Sequence, residues 1–326
     1  MNILVIGGAG YIGSHVVLEL LNANHSIFIF DNFSTGSENN IPIGVQVAQG
    51  DILDNEALDS VFKLEQFDAV IHLAAKKAAG ESMERPDIYA NNNLIGTINI
   101  LNAMADNNVK MMVFSSSAAV YGFPEYLPID EKHPTKPANF YGYTKLAIEE
   151  LLKWYSELKG IHFAALRYFN AAGYEPQGRM VDAENGVANL LPIVMEAAIG
   201  KRDEVLVFGD DYDTKDGTGV RDYIHVTDLA SAHLKALNHL TLNQEDLILN
   251  LGTGNGYSVL DVLNECEKVT GRTVKVTITG RRAGDPDELT AYSNSAEKIL
   301  GWKACHSDLN SILSSMWKLY QTLEKQ

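Results

Sequence analysis

NILVIGGAGYIG (residues 2–13) is an apolar run that passes directly into Gly7, Gly10 and Gly13 and then into a helical pattern from about Tyr11. Glycines in a GxxGxxG spacing permit a tight turn and let backbone approach a pyrophosphate, while the opening helix turn offers unpaired N–H groups to its charge. Tyr11 and Ile12 belong to the same loop. A glycine triplet alone would also suit a strand-to-helix turn without a ligand. The next apolar run, SIFIF, argues for the ligand because it ends at Asp31, eighteen residues past Gly13. A carboxylate there can accept from an adenosine ribose 2′-OH. It would also repel a 2′-phosphate, and the Asn-Phe-Ser-Thr-Gly that follows holds no Arg or Lys to neutralise one, so NAD is preferred over NADP. Asp51, at the end of the next run, suits a neighbour of the adenine; a solvated loop carboxylate would read the same.

Outward from this unit the first half alternates apolar runs with helical patterns. VQVAQG is followed by a helix near Asn55, DAVIHLAA by a long helix around Asp87 to Asp106, and VKMMVFSS by a helix from about Tyr143 and then IHFAALRY. Continuous apolar strands separated by helices indicate a parallel sheet buried on both faces. The expected fold class is α/β: a Rossmann-type doubly wound parallel sheet with a smaller C-terminal α/β substrate domain. Residues 1–175 are expected to form the NAD-binding part and 176–326 the substrate-binding part. Gly173, Pro176, Gly178 and Gly186 mark a junction or substrate loop. A helix near Val187 to Ile199, a strand VLVF, a helix near Thr227 to Leu240 and LILNLG follow. The last run could return to the main sheet, giving return segments from about 225–255.

The chain has 326 residues, 42 acidic and 26 basic, for a formal net charge of -16. Such a field repels phosphate polymers and anionic lipid, so neither nucleic acid nor a membrane is expected as a partner; a small phosphorylated ligand needs only local arginines and helix N-termini. Cys266 and Cys305 lie far apart without metal-ligand or CxxC spacing, and both are expected as buried thiols, with no metal site. No apolar run reaches the ~18 residues that span a bilayer. The chain enters a strand within two residues of Met1, leaving no room for a cleavable leader. The cytoplasm is the expected compartment.

VFSSSAAVYG (113–122) ends a strand, and FYGYTKLAIEELLKWY (140–155) opens a helix that carries Tyr141 and Lys145. A spacing of four puts both side chains on one helical face. A tyrosine used as a base near neutrality must lose ~3 pH units of its reference pKa, or ~4 kcal/mol. The Lys145 ammonium can supply much of that, and a positively charged nicotinamide would add to it. Ser117 can donate to Tyr141 or relay a proton between it and a substrate hydroxyl. Tyr-x-x-x-Lys alone would also fit an ordinary exposed helix face; the dinucleotide loop upstream and the serine-rich strand end favour chemistry.

With loop, serine and Tyr-x-x-x-Lys together, the chain resembles the extended short-chain dehydrogenase/reductase family and, within it, the UDP-galactose 4-epimerases, over nearly its whole length. The resemblance implies that Gly7 to Gly13 and Asp31-Asn32 bind NAD, and that Asp51-Ile52 meet the adenine. IHLAAKKAAGES (71–82) resembles the nicotinamide-side strand, with Leu73, Ala74 and Ala75 lining the cofactor and Lys77 approaching its ribose beside Tyr141 and Lys145. Asn92 and Tyr168 are further cofactor positions. LRYFNAAG places Asn170 at the nucleotide diphosphate, and VANLLP places Asn189 and Leu190 beside the uridine. In VLVFGDDYDTKDGTGVRDYIHV (205–226), Phe208 matches a uracil contact, Leu206 a further substrate contact, and Arg221 one arm of a diphosphate clamp. RRAGDPDEL (281–289) supplies Arg282 as the other arm, Asp285 as a ribose or clamp-orienting group, and Leu289 beside the sugar. Tyr143 and Thr144 stand where some relatives have Lys and Ser, and Ala75 replaces a frequent Gly.

The implied activity is reversible 4-epimerisation of a UDP-hexose through a 4-keto sugar with tightly held NAD, in a homodimer. A 4,6-dehydratase would use an acidic pair after the serine strand, and SSSAAVYG has no carboxylate there. A UDP-N-acetylhexosamine 4-epimerase stays open. A non-catalytic NAD sensor would usually have lost the Tyr or the Lys.

Overall fold

A computed structural model describes residues 1–184, 189–282 and 284–324. β1 (Asn2–Ile6), α1 (Tyr11–Asn22), β2 (Ser26–Asp31), β3 (Gln46–Gln49), α2 (Asn55–Leu64) and β4 (Ala69–His72) form the first half of the winding. Then come α3 (Ala79–Glu84), α4 (Pro86–Tyr89), a π-helical segment Ala90–Ile95, α5 (Gly96–Asp106), β5 (Met111–Ser117), α6 (Phe140–Lys159) and β6 (His162–Tyr168). β7 (Asn170–Ala172), α7 (Leu190–Ala198), β8 (Val205–Phe208), β9 (Val220–His225) and α8 (Val226–Asn243) lead to β10 (Leu247–Leu251). The chain closes with β11 (Gly256–Ser258), α9 (Val259–Thr270), β12 (Val276–Thr279), β13 (Glu288–Leu289), α10 (Asn294–Leu300) and α11 (Leu309–Leu323).

Seven parallel strands make one sheet in the order β10-β6-β5-β4-β1-β2-β3. Strand alternation explains why the apolar runs are continuous: Ile3, Val5, Ile27 and Ile29 face one core with α1 and α8, while Leu4, Ile6, Phe28 and Phe30 face another with α2, α5 and α6. β3 departs from this pattern. It is the sheet edge and its residues are exposed or half-buried, Val47 among them, so its VQVAQ run is apolar without being covered. A second sheet pairs β9 with β7, β11 and β13, and β8 pairs with β12. These strands and α7, α9 and α11 enclose a separate core around Tyr174, Met195, Val207, Cys266 and Trp317.

The long helix anticipated around Asp87 to Asp106 is α4 and α5 joined through the π segment. α7 begins at Leu190; Gly186 and the Val187 start anticipated for this helix lie outside the described residues. Cys266 is buried but Cys305 is exposed, contrary to expectation. The N–H groups of Cys305 and His306 turn inward to the Asp228 carboxylate at 3.1 and 2.9 Å, which leaves the Cys305 side chain outside. Among the described residues no helix is long and apolar enough to cross a membrane.

Candidate active site

Every parallel strand of the large sheet that carries a candidate residue delivers it at its C-terminal end, where ligands of open α/β sheets bind. At the end of β1, Gly7 has φ +85° and a Cβ there would lie 2.6 Å from the Ala74 nitrogen; a Cβ on Gly13 would lie 2.0 Å from the Gly7 oxygen. Both positions therefore need glycine. Gly10 caps α1 with no side-chain bond, so the first-turn N–H groups at Tyr11, Ile12 and Gly13 are free to face an anion. The Tyr11 hydroxyl donates to the Gly173 carbonyl at 2.5 Å, and Ile12 packs against the α1/α8 core.

Asp31 is buried at the end of β2 and accepts from the N–H groups of Ala9 and Phe33, both at 2.9 Å. Each carboxylate oxygen retains acceptor capacity for a ribose hydroxyl. Burial raises its pKa against those hydrogen bonds. Asn32 donates to Asp51 at 2.8 Å, and buried Ile52 would collide with any Cβ on Gly96. After β4, the N–H groups of Leu73 and Ala74 return to the Ile6 carbonyl at 2.8 and 3.1 Å, fixing Ala74 and Ala75 beside the glycine loop. Lys77 is exposed and pairs with Glu184. Asn92 is half-buried and bonds only its neighbour Asn93. Asn93, which the sequence reading passed over, does more: its amide grips both backbone groups of Lys76 at 2.9 and 3.0 Å and reaches Thr144 Oγ1 at 3.1 Å. The cradle, the uncapped helix end and the acid at β2 fit an NAD-sized dinucleotide across the crevice.

Asn139 caps α6 by accepting from the Gly142 N–H at 2.8 Å, starting the helix at Phe140 and setting Tyr141 and Lys145 on successive turns. Lys145 is buried; its Nζ donates to the Ser115 carbonyl at 2.6 Å and lies 5.9 Å from the Tyr141 ring centre. Ser117 caps the turn after β5 by accepting from Ala119 N–H at 3.2 Å. Tyr141 is half-buried. Burial of its hydroxyl pushes the pKa above the ordinary value, with a hydrogen bond to Ser117 pulling the other way. Burial lowers Lys145 to about 7, opposed by the Glu149 carboxylate. A buried ammonium and a buried phenolate each lose hydration, and in the protein without nucleotide that loss dominates both. Tyr168 is buried in the α8-side core with its hydroxyl on Ser115, so it backs the site from below, whereas Phe169 turns toward Ala118 and Tyr121.

The smaller unit contributes a pocket of about 500 Å³ lined by Leu190, Ile193, Lys201, Arg202, Leu206, Phe208 and Arg282, among others. It brings together four of the anticipated uridine and clamp residues; two other clefts of similar size lie elsewhere, on Gly252 to Asp308 and against the edge strand, and hold none of them. The Arg282 guanidinium stacks 4.2 Å from the centre of the Phe208 ring and lies 4.0 Å from Asp285. Arg221 donates to Asp285 at 2.5 Å and to the Val220 carbonyl at 2.7 Å, so Asp285 stands between the two arginines. Asn189 is exposed at the α7 start, and Asn170 donates to the Asp222 carbonyl at 3.0 Å.

Leu289 pairs in register with Arg221 and packs with Phe169, Tyr121 and Ala118, the residue after Ser117. Sequence reasoning missed Asp222 beside it in the chain order of β9. This fully buried carboxylate gathers the N–H groups of Thr253, Gly254 and Ala291 at 3.0 to 3.2 Å and so fixes the second sheet to the end of β10. A carboxylate directly before the apolar Tyr223 and Ile224 was the available signal.

The sequence profile of the NAD dependent epimerase/dehydratase family matches residues 3–252. The UDP-glucose 4-epimerase of Halalkalibacterium halodurans is 45% identical over 321 residues, which are 98% of this chain and 96% of that protein. The crystal structure of UDP-glucose 4-epimerase from Brucella ovis in complex with NAD has a TM-score of 0.95 at 41% identity, covering 98% of each chain. That of the Bifidobacterium longum enzyme in complex with NAD+ and UDP has a TM-score of 0.93 at 40% identity, covering 99% of this chain and 98% of that one.

Proposed function

This chain belongs to the NAD dependent epimerase/dehydratase family, and from that premise we infer that it is an NAD-dependent enzyme that interconverts UDP-glucose and UDP-galactose by inverting the sugar's C4. The observation that carries the assignment is the meeting of Ser117, Tyr141 and buried Lys145 at the same sheet edge as the glycine cradle, with an arginine-bearing pocket alongside. When bound, NAD supplies the hydride acceptor and donor for C4, and its nicotinamide charge favours the phenolate. Residues 1–175 with the strand returned from 247–251 hold NAD, and the rest holds UDP.

Tyr141 takes the proton from the sugar O4, with Ser117 hydrogen-bonded to both, and returns it when the 4-keto sugar has turned over. Arg221 and Arg282 anchor the diphosphate by charge-assisted bonds, Phe208, Leu206, Leu190 and Asn189 hold the uridine, and Asn170 steadies the backbone between. The anchor stays closed while the hexose rotates, so both faces of C4 can be presented. A dehydratase is disfavoured because Ala118 and Ala119 follow Ser117 where an acid would be required.

The active form is a homodimer. Tyr143, Trp154 and Leu158 are exposed on one face of α6, with exposed Ile95 before α5, and a second copy covering this apolar row supports that reading. Trp154→Glu is expected to yield a monomer on sedimentation. Two free thiols suit the reducing cytoplasm.

Tyr141→Phe and Arg282→Ala separate chemistry from anchoring. The first is expected to lower kcat at least ~10²-fold with UDP and NAD affinity within a few fold. The second is expected to raise KM with a smaller change in kcat. Normal turnover by Tyr141→Phe, or unchanged UDP affinity in Arg282→Ala, contradicts these roles.

A further inference from the structure

Directly beneath the reaction centre lies a buried ionic cluster that no step above uses. Glu149, one helical turn after Lys145, accepts from Ser116 Oγ at 2.5 Å and takes a two-pronged bond from Arg167, Nε at 2.8 Å and Nη2 at 2.5 Å. Arg167 Nη1 donates to the Tyr121 hydroxyl at 2.9 Å, which donates to Asn250 at 2.6 Å. Glu149, Tyr121 and Asn250 are fully buried and Arg167 is 5% exposed. Such a pair loses hydration on both sides, and apolar residues of similar volume are often as stable or more so, so fold stability alone gives no reason to keep it.

Its placement suggests a reason. The three serines that end β5 are each held from a different side: the Ser115 carbonyl by Lys145, the Ser116 hydroxyl by Glu149, and Ser117 by its cap and Tyr141. Around the Lys145 ammonium stand Tyr141 and Glu149 from α6, the Phe114 ring from β5 at 4.8 Å and His72 from β4, while Tyr168 and Arg167 from β6 reach the same strand end through Ser115 and Glu149. Burial and Lys145 itself hold His72 neutral, so Glu149 is the one carboxylate that raises the charge on Lys145.

On the reading of this site as the epimerase centre, with the Lys145 ammonium as the charge beside Tyr141, we propose that Glu149, clamped by Arg167 and Ser116, is a positioning residue of the reaction. It keeps the buried Lys145 charged and fixes the strand end that presents Ser117.

Glu149→Gln removes the carboxylate that favours the Lys145 charge and leaves the Arg167 cation without its ionic partner, so Lys145 should give up its proton at lower pH. The expected result is a kcat about 10- to 100-fold lower, with the alkaline limb of the kcat–pH profile moved down by about one pH unit. Glu149→Asp, which keeps the charge, should restore the limb. Because an unpaired buried Arg167 destabilises the fold by itself, the double variant Glu149→Gln with Arg167→Met supplies a neutral, packed control; it should fold and still show the displaced limb. Lys145 is followed independently by NMR of lysine labelled with 13C at Cε, assigned with Lys145→Met. A lower Lys145 midpoint in Glu149→Gln supports the proposal even if the wild type lacks epimerase activity, an outcome that would fail the functional assignment instead. An unmoved Lys145 midpoint, or a double variant with wild-type kcat and profile, overturns the proposal.

Discussion

Replacing Gly13 with alanine puts a methyl group 2.0 Å from the Gly7 carbonyl oxygen and 2.9 Å from the Gly8 Cα, both backbone atoms that cannot swing aside. Ordinary contact needs 3.4 Å or more, so β1 and the first turn of α1 must part by over 1 Å. That is the scale of misplacement that costs ~10²-fold where groups must be held in register, and here it moves the N–H groups meant for the pyrophosphate. Gly7→Ala adds a left-handed φ of +85° to a 2.6 Å contact and should be at least as damaging. Gly10 is different: its backbone is extended and its nearest neighbour is 3.3 Å away, so Gly10→Ala should weaken NAD only a few fold. Gly80→Ala, with nothing within 4 Å, should be silent. The assay is NAD content of each purified variant after desalting, by enzymatic cycling, with circular dichroism to confirm the fold. A folded Gly13→Ala protein that retains stoichiometric NAD refutes the cradle.

Three further outcomes follow from the site. Lys145 has a folded pKa of about 7 against an ordinary 10.5, so between those values the unfolded chain binds a proton that the folded chain lacks and stability rises with pH. Lys145→Met, freed of nucleotide, should therefore be more stable than wild type by ~2 kcal/mol at pH 6 after loss of the Ser115 bond, with the advantage fading toward pH 10; a pH-independent or negative difference in urea unfolding contradicts this. Arg221→Ala should lower Tm as well as UDP affinity, because it removes the shorter and less exposed of the two ion pairs of Asp285, whereas exposed Arg282→Ala should leave Tm unchanged by calorimetry. Leu289, packed against the cluster that contains Phe169 and Ala118, should limit the sugar pocket: Leu289→Ser is expected to raise kcat/KM for N-acetylated UDP-hexoses by ~10-fold, or ~1.4 kcal/mol, and Leu289→Tyr to lower it while sparing simple hexoses. Parallel changes in both substrate pairs would mean damaged packing.

The cofactor half was legible in the sequence because its signals are local. An apolar strand, four glycines within seven residues and an acid ending the next strand state their geometry without reference to the rest of the chain. The seven-stranded sheet follows from alternating runs for the same reason, and only the exposed edge strand β3 escaped it, since apolar content does not say which neighbour is missing. What could not be read was set by tertiary partners. Glu149 and Arg167 lie eighteen residues apart on a helix and a strand, and neither looks unusual until Ser116 and Tyr121 close around them. Asn93 stands beside Asn92 in a run of three asparagines, and only the π-helical turn decides which one faces Lys76. The pKa order of Tyr141 and Lys145 depends on burial, which spacing does not encode. Cys305 is apolar by type but outward because its backbone is tied to Asp228.

The central claim is a closed hydride cycle on a retained cofactor, and the most direct measurement is to incubate desalted protein with UDP-galactose and no added NAD, then separate the products. The account predicts UDP-glucose formed catalytically, many turnovers per chain, with NAD still bound at the end. Activity that requires added NAD or a second hydride donor in proportion to product, or an equally active protein free of nucleotide, would contradict it.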